Sequence, residues 1–151
     1  PLIGASVDFY DLLMPDTPDN IRFEGRPYSW VTWGEILSPQ PGTEVWGTFE
    51  GDFYEGRPGN VHRKLGKGTV TYVGVDSQTG ELEEAVMRKL YGQLNIPLED
   101  LPAGVHIEYR DGFGIAVSYS DKTERLPLPA GTRYLVGGQD IPTGGVTVFK
   151  H

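Results

Sequence analysis

The 151-residue chain contains no cysteine. Disulfides, thiolate metal sites and a cysteine nucleophile are therefore excluded, while the redox setting stays open. No run of about 18 apolar residues occurs, so no helix is expected to span a membrane. Basic residues are scarce: 13 Lys and Arg stand against 21 Asp and Glu, a formal charge of −8. Such a surface repels phosphate backbones, and neither nucleic acid nor a membrane is expected as a partner. The three histidines, His62, His106 and His151, lie far apart. No ligand spacing joins them, so no metal or other cofactor is expected, and each reads as a surface or half-buried strand residue.

Glycine and proline, by contrast, are abundant, at 21 and 12 residues. They point to many turns and short elements, a strand-rich fold rather than a bundle. Short strands are expected at Ile21–Phe23, Tyr28–Trp33, Thr43–Phe49, Asn60–Lys64 and Thr69–Val75, with loops at Pro15–Asn20 and Ser38–Gly42. Ser77–Asn95 reads as the one helix. Its acids Glu81, Glu83 and Glu84 come early, and Leu82, Val86, Leu90 and Leu94 recur every four residues as an apolar stripe, with Ala85, Met87 and Tyr91 beside it. After a linker at Leu98–Gly104, alternation on both sides of Asp111-Gly112 marks a hairpin. Further strands are expected near Glu124–Leu128, Arg133–Val136 and Val146–Phe149. The opening "PLIGASVDFYDLLMP" reads as mid-domain sequence, so the chain is expected to be a piece of a longer protein.

An aromatic residue followed by "EGRP" occurs twice, at Phe23–Pro27 and Tyr54–Pro58. The residues after the two copies differ, which argues against a repeat. Both read as Glu-Gly turns leading into an edge strand that opens with Pro. "LGKGT" departs from a phosphate loop because Gly68 and a β-run come after Lys67; a hairpin turn with Gly66 and Gly68 is the better reading. His62, Arg63, Lys64 and Lys67 form the one basic cluster, an exposed face or an anion site. Glu44, Glu50, Asp52 and Glu55 lie near Trp46, Phe49, Phe53 and Tyr54. Acids beside aromatic rings suit a sugar-facing surface, which makes Trp46, Phe53, Tyr54 and Glu55 candidate carbohydrate contacts; the competing reading puts such aromatics in the core. Ser118 and Ser120 lack an elbow context, and no residue is assigned a catalytic role.

The segment Gly47–Asp76, "GTFEGDFYEGRPGNVHRKLGKGTVTYVGVD", resembles a stretch of bacterial β-galactosidases of glycoside hydrolase family forty-two. Tyr54, Gly56, Pro58, Gly66, Lys67, Gly68, Tyr72 and Gly74 carry the likeness. Gly112–Gly138, "GFGIAVSYSDKTERLPLPAGTRYLVGG", is similar to the small C-terminal β domain of that family. The resemblance implies catalytic glutamates on an N-terminal TIM barrel outside this chain, an amidotransferase-like middle domain making subunit contacts in a trimer, a C-terminal sandwich, and a cytoplasmic setting. The opening half lacks the βαβ alternation of a complete amidotransferase-like domain, so a sheet edge is expected to be covered some other way, such as self-association.

The expected fold is thus α+β and strand-rich. A truncated mixed sheet with one packed helix occupies residues 1–97, and a small antiparallel β sandwich occupies 98–151, leaning on the first half. The expected role is the non-catalytic C-terminal region of a β-galactosidase-like glycoside hydrolase. Its partners are the absent catalytic barrel and further copies of itself. The alternatives are a carbohydrate-binding module taking a saccharide, or a free-standing interaction domain of another family.

Overall fold

A computed structural model of the chain describes residues 2–14 and 16–151; the first residue of the expected Pro15–Asn20 loop, like Pro1, lies outside the described residues. The chain divides into two compact units, Pro1–Ile96 and Pro97–His151.

The first unit is one curled sheet with a helix against it. Its strands are β1 (Ala5–Leu12), β2 (Asp19–Phe23), β3 (Arg26–Pro39), β4 (Thr43–Phe49), β5 (Pro58–Leu65), β6 (Gly68–Val73) and the short β7 (Val75–Asp76), followed by α1 (Glu81–Gln93). Their order is β1-β3-β2-β4-β5-β6, with β7 on β3. The strand-rich α+β class expected from the sequence is found. The expected mixed sheet, however, is antiparallel throughout among the described strands. Parallel neighbours need crossovers of about a dozen residues or more, and these strands are joined by turns and short loops.

β1 and the length of β3 are the main departures from the sequence reading. β3 runs 14 residues, through the expected Ser38–Gly42 loop as far as Pro39. Its first half pairs with β2, its second half with β1. At Pro27 the strand is paired on one side only, so the missing N–H costs no ladder bond. The second proline differs from expectation: β5 is an interior strand, and Pro58 is tolerated because pairing with β6 begins at Asn60. In the β5–β6 hairpin only Gly66 of the two turn glycines has positive φ, at 60°.

The sheet curls because the chain after β6 is stitched to two strands. Glu35 N donates to Gly74 O, and Gly74 N donates to Gly59 O. A Cβ at Gly74 would lie 2.7 Å from the Gly59 carbonyl oxygen. Backbone cannot give way cheaply there, so Gly74→Ala is expected to lower the stability of this unit by about 1–3 kcal/mol, measured by urea unfolding.

Ile21, Phe23, Trp30, Ile36, Trp46, Phe49 and Tyr54 fill the core, closed on one side by Leu82 and Val86 of α1. The helix is shorter than Ser77–Asn95. Gly80 takes a left-handed conformation at its N-cap and Ser77 accepts from Gly80 N at 3.2 Å, so Ser77 belongs to the lead-in. The apolar stripe is also narrower than expected, with Met87 and Leu94 exposed. A four-residue step overshoots one turn by about 40°, so by Leu94 the row has rotated off the sheet. No basic residue occupies the last turn; Arg88 pairs with Glu84 and Lys89 with Glu24 instead.

The second unit contains β8 (Val105–Arg110), β9 (Phe113–Ser118), β10 (Glu124–Arg125), β11 (Tyr134–Val136), β12 (Asp140–Ile141) and β13 (Val146–Lys150). A four-stranded sheet, β11-β13-β9-β8, lies over the two-stranded ribbon β10-β12. Leu126 and Ile141 of the ribbon side pack on Val105, Ala116 and Phe149. The Asp111-Gly112 hairpin forms as read, with both residues at positive φ. Gly114 is required for a packing reason: a Cβ there would meet the Phe149 ring at 2.2 Å. The expected Leu98–Gly104 linker is tied to this unit, since Tyr109 OH donates to Glu99 at 2.6 Å. Burial and the Glu99 carboxylate raise that phenol to about 12.

Candidate functional site

The second "EGRP" copy supplies a clamp on β1. Phe53, Tyr54 and Arg57 belong to the loop between β4 and β5, which closes on itself through Gly56 N to Phe49 O at 2.8 Å. Arg57 reaches Asp8 at 2.5 Å. The Phe53 ring stacks on Phe9 at 5.7 Å and 14°. Tyr54 OH donates to Asp11 at 2.7 Å. Asp8 also accepts from Ser38 at 2.6 Å. The Ser38 hydroxyl and Arg57 hold the Asp8 carboxyl below the ordinary aspartate value, against its own desolvation. Burial, then the Asp11 carboxylate, push the Tyr54 phenol far above the ordinary tyrosine value, so it remains a donor.

The clamp holds an apolar edge in place. Asp8 bulges out between Val7 and Phe9, where the register with β3 shifts. Beyond the bulge, Phe9, Asp11 and Leu13 turn inward and are half-buried, whereas Tyr10, Leu12 and Met14 point outward and are 66%, 63% and 74% exposed. Trp33 lies opposite Leu12 on the same face. No described strand pairs with the outer edge of β1. An edge of eight residues with an outward apolar row is an association surface unless something covers it. The sequence reading assigned β1 no element, because Asp8 and Asp11 interrupt its alternation and Asp is disfavoured in strands.

The sugar-contact candidates separate into two groups. Trp46 and Tyr54 are buried, at 7% and 1% exposure, and Phe53 and Glu55 are exposed. One side of Trp46 stacks on His62 at 4.1 Å and 11°, and Lys89 Nζ sits 4.3 Å from its ring centre. Its Nε1 donates to Glu44 at 3.1 Å. Three of the four carboxylates are engaged separately: besides Glu44, Glu50 pairs with Arg22, and Asp52 accepts from Phe53 N at 2.6 Å. The basic cluster does not share one face either. Strand alternation puts Arg63 on the side opposite His62 and Lys64, and His62 is buried whereas Lys64 and Lys67, nearer the turn, are exposed.

His62 is buried, at 5% exposure, where a surface or half-buried residue was expected. Its Nδ1 lies 2.8 Å from Thr71 Oγ1. Burial lowers its proton affinity and Lys89 adds to that, with Glu44 opposing. The unfolded chain therefore takes up the His62 proton first, near the ordinary value of about 6.5. Stability of the first unit is expected to be level above about pH 6.5 and to fall as the pH drops below it. Thermal midpoints between pH 7.5 and 5 check this, with His62→Gln flattening the slope.

Among the described residues, no helix is long and apolar enough to cross a membrane. As a class, the first unit is a strand-rich α+β domain with an outward apolar row along a braced edge strand. The chain belongs to the family of β-galactosidase trimerisation domains, whose model matches residues 1–101. The resemblance to β-galactosidases of glycoside hydrolase family forty-two is thus borne out. Beta-galactosidase BgaH of Haloferax lucentense is 27% identical over 93% of this chain and 21% of the relative. Beta-galactosidase Bga of Halorubrum lacusprofundi is 30% identical over 83% of this chain and 20% of the relative. The solved polyextremophilic β-galactosidase from the Antarctic haloarchaeon Halorubrum lacusprofundi superposes with a TM-score of 0.83 at 26% identity, over 99% of this chain and 23% of that one. The chain spans about a fifth of the length of the curated relatives it matches.

Proposed function

We propose that this chain is the non-catalytic C-terminal region of a β-galactosidase-like glycoside hydrolase. Its first unit, Pro1–Ile96, joins subunits into a homo-oligomer, and the second, Pro97–His151, is a small β domain that supports the catalytic barrel. The barrel and its acids belong to polypeptide outside this chain. The observation that carries the reading is the outward row Tyr10, Leu12, Met14 and Trp33 on a clamped edge strand, inside the region matched by the trimerisation-domain family. The occupant is a second copy, because the family's name describes contact between like subunits. The purified chain is expected to release no chromophore from nitrophenyl galactosides. Turnover that survives purification controls overturns the non-catalytic assignment.

A second reading rests on Phe53, which is 79% exposed with the Asp8–Arg57 pair nearby. An open ring beside hydrogen-bonding groups suits a saccharide. Calorimetry against galactose, lactose and galactan decides: heat abolished by Phe53→Ala supports it, and no heat at millimolar sugar removes it.

A further inference from the structure

A four-stranded antiparallel sheet that buries one face is ordinarily polar on the other. The sheet of the second unit departs from that rule. Its inner face carries Gly114, Ala116, Ser118, Thr147 and Phe149, all buried. Its outer face carries Phe113, Ile115 and Val117 on β9, Val146 and Val148 on β13, and Val136 on β11. Register joins them into one patch: Val148 lies opposite both Ile115 and Val136, and Val146 opposite Val117. Phe113 is 38% exposed, Ile115 40%, Val136 54% and Val146 47%. Charge is confined to the rim, with Arg110 and Lys150 flanking Phe113 at one end and Glu108 and His106 along β8.

We propose that this outer face is a docking surface for the polypeptide that carries the catalytic barrel, in the same chain. The proposal rests on the reading of this chain as part of a longer glycoside hydrolase, and it names where the second unit supports the rest. Three observations favour that occupant. The match to the Haloferax lucentense relative runs over 93% of this chain but only 21% of the relative, so there the matched segment is accompanied by roughly four times its own length of other polypeptide. The centre of the patch holds only aliphatic and aromatic groups, which suits a permanent contact better than a transient one. A partner on the same chain is present at an effective concentration that reaches millimolar, so a patch of this modest size suffices. The Arg110 and Lys150 end further specifies a partner surface that is apolar in the middle and carries a carboxylate at that edge.

The lack of cysteine makes a direct test available. Ile115→Cys and Val146→Cys place thiols on the patch, and Lys122→Cys places one on the exposed loop between β9 and β10 as a control. Each is made in the 151-residue chain and in the product of the complete open reading frame, with any other cysteines there replaced by serine. A small maleimide is expected to label positions 115 and 146 at least tenfold more slowly in the complete protein than in the chain, and position 122 equally in both. Equal rates at 115 and 146 in a complete protein that hydrolyses galactosides overturn this inference alone. So does protection already present in the 151-residue chain, or protection lost when the complete protein is diluted to monomer, which would make a neighbouring copy the occupant. An open reading frame no longer than this chain overturns both this inference and the functional reading beneath it.

Discussion

Tyr54→Ala is expected to lower the stability of the first unit by about 3–5 kcal/mol, the range for truncating a buried aromatic. The side chain is 1% exposed, and its ring meets Phe49 and Phe53 edge-on, each at 5.0 Å. Its hydroxyl also closes on Asp11. Tyr54→Phe separates the two contributions. It keeps the packing and removes the donor to one Asp11 oxygen, the other still accepting from Leu12 N, for an expected loss of about 1.5–3 kcal/mol. Phe53→Ala, at a largely exposed ring, is expected to cost under about 1 kcal/mol. All three tryptophans, Trp30, Trp33 and Trp46, lie in the first unit. Urea unfolding followed by tryptophan fluorescence therefore reports on this unit alone. A Tyr54→Ala loss no larger than that of Phe53→Ala would show that the clamp does not hold β1.

The second large effect concerns association. Tyr10→Asp and Leu12→Asp each place a carboxylate in the outward row of β1. Both positions are mostly exposed, so folding of the unit is expected to be unchanged. If copies meet there, each substitution buries an unpaired charge at the contact and should cost about 2 kcal/mol or more, roughly 30-fold in the dissociation constant. The double variant of the complete protein is then expected to dissociate at about a thousandfold higher concentration than the wild type, provided the two effects add. Mass photometry across a dilution series checks this, and unchanged masses would move the contact elsewhere.

The legible parts of the fold were those governed by local rules. The hairpin at Asp111-Gly112, the turn at Gly66 and the position of the helix follow from turn chemistry and periodicity. The assignments that failed depend on distant partners. β1 is a strand because Asp8 and Asp11 are satisfied by Arg57 and Tyr54, more than 40 residues away. His62 is buried because Trp46, from the neighbouring strand, lies flat against it. Of the four sugar-contact candidates, Trp46 and Tyr54 carry the same aromatic signal as Phe53, and only the fold distinguishes the buried rings from the open one. The purpose of the second "EGRP" copy was likewise hidden in sequence: Tyr54 and Arg57 brace an edge that lies far away along the chain.

The proposed contact between copies covers the outer edge of β1 in the assembled protein. Backbone amide exchange over residues 5–14 tests this most directly, comparing the complete protein above its association concentration with the Tyr10→Asp/Leu12→Asp variant. Slow exchange at Tyr10 and Leu12 in the assembly, and fast exchange in the variant, is the predicted result. Equally fast exchange in both would contradict it.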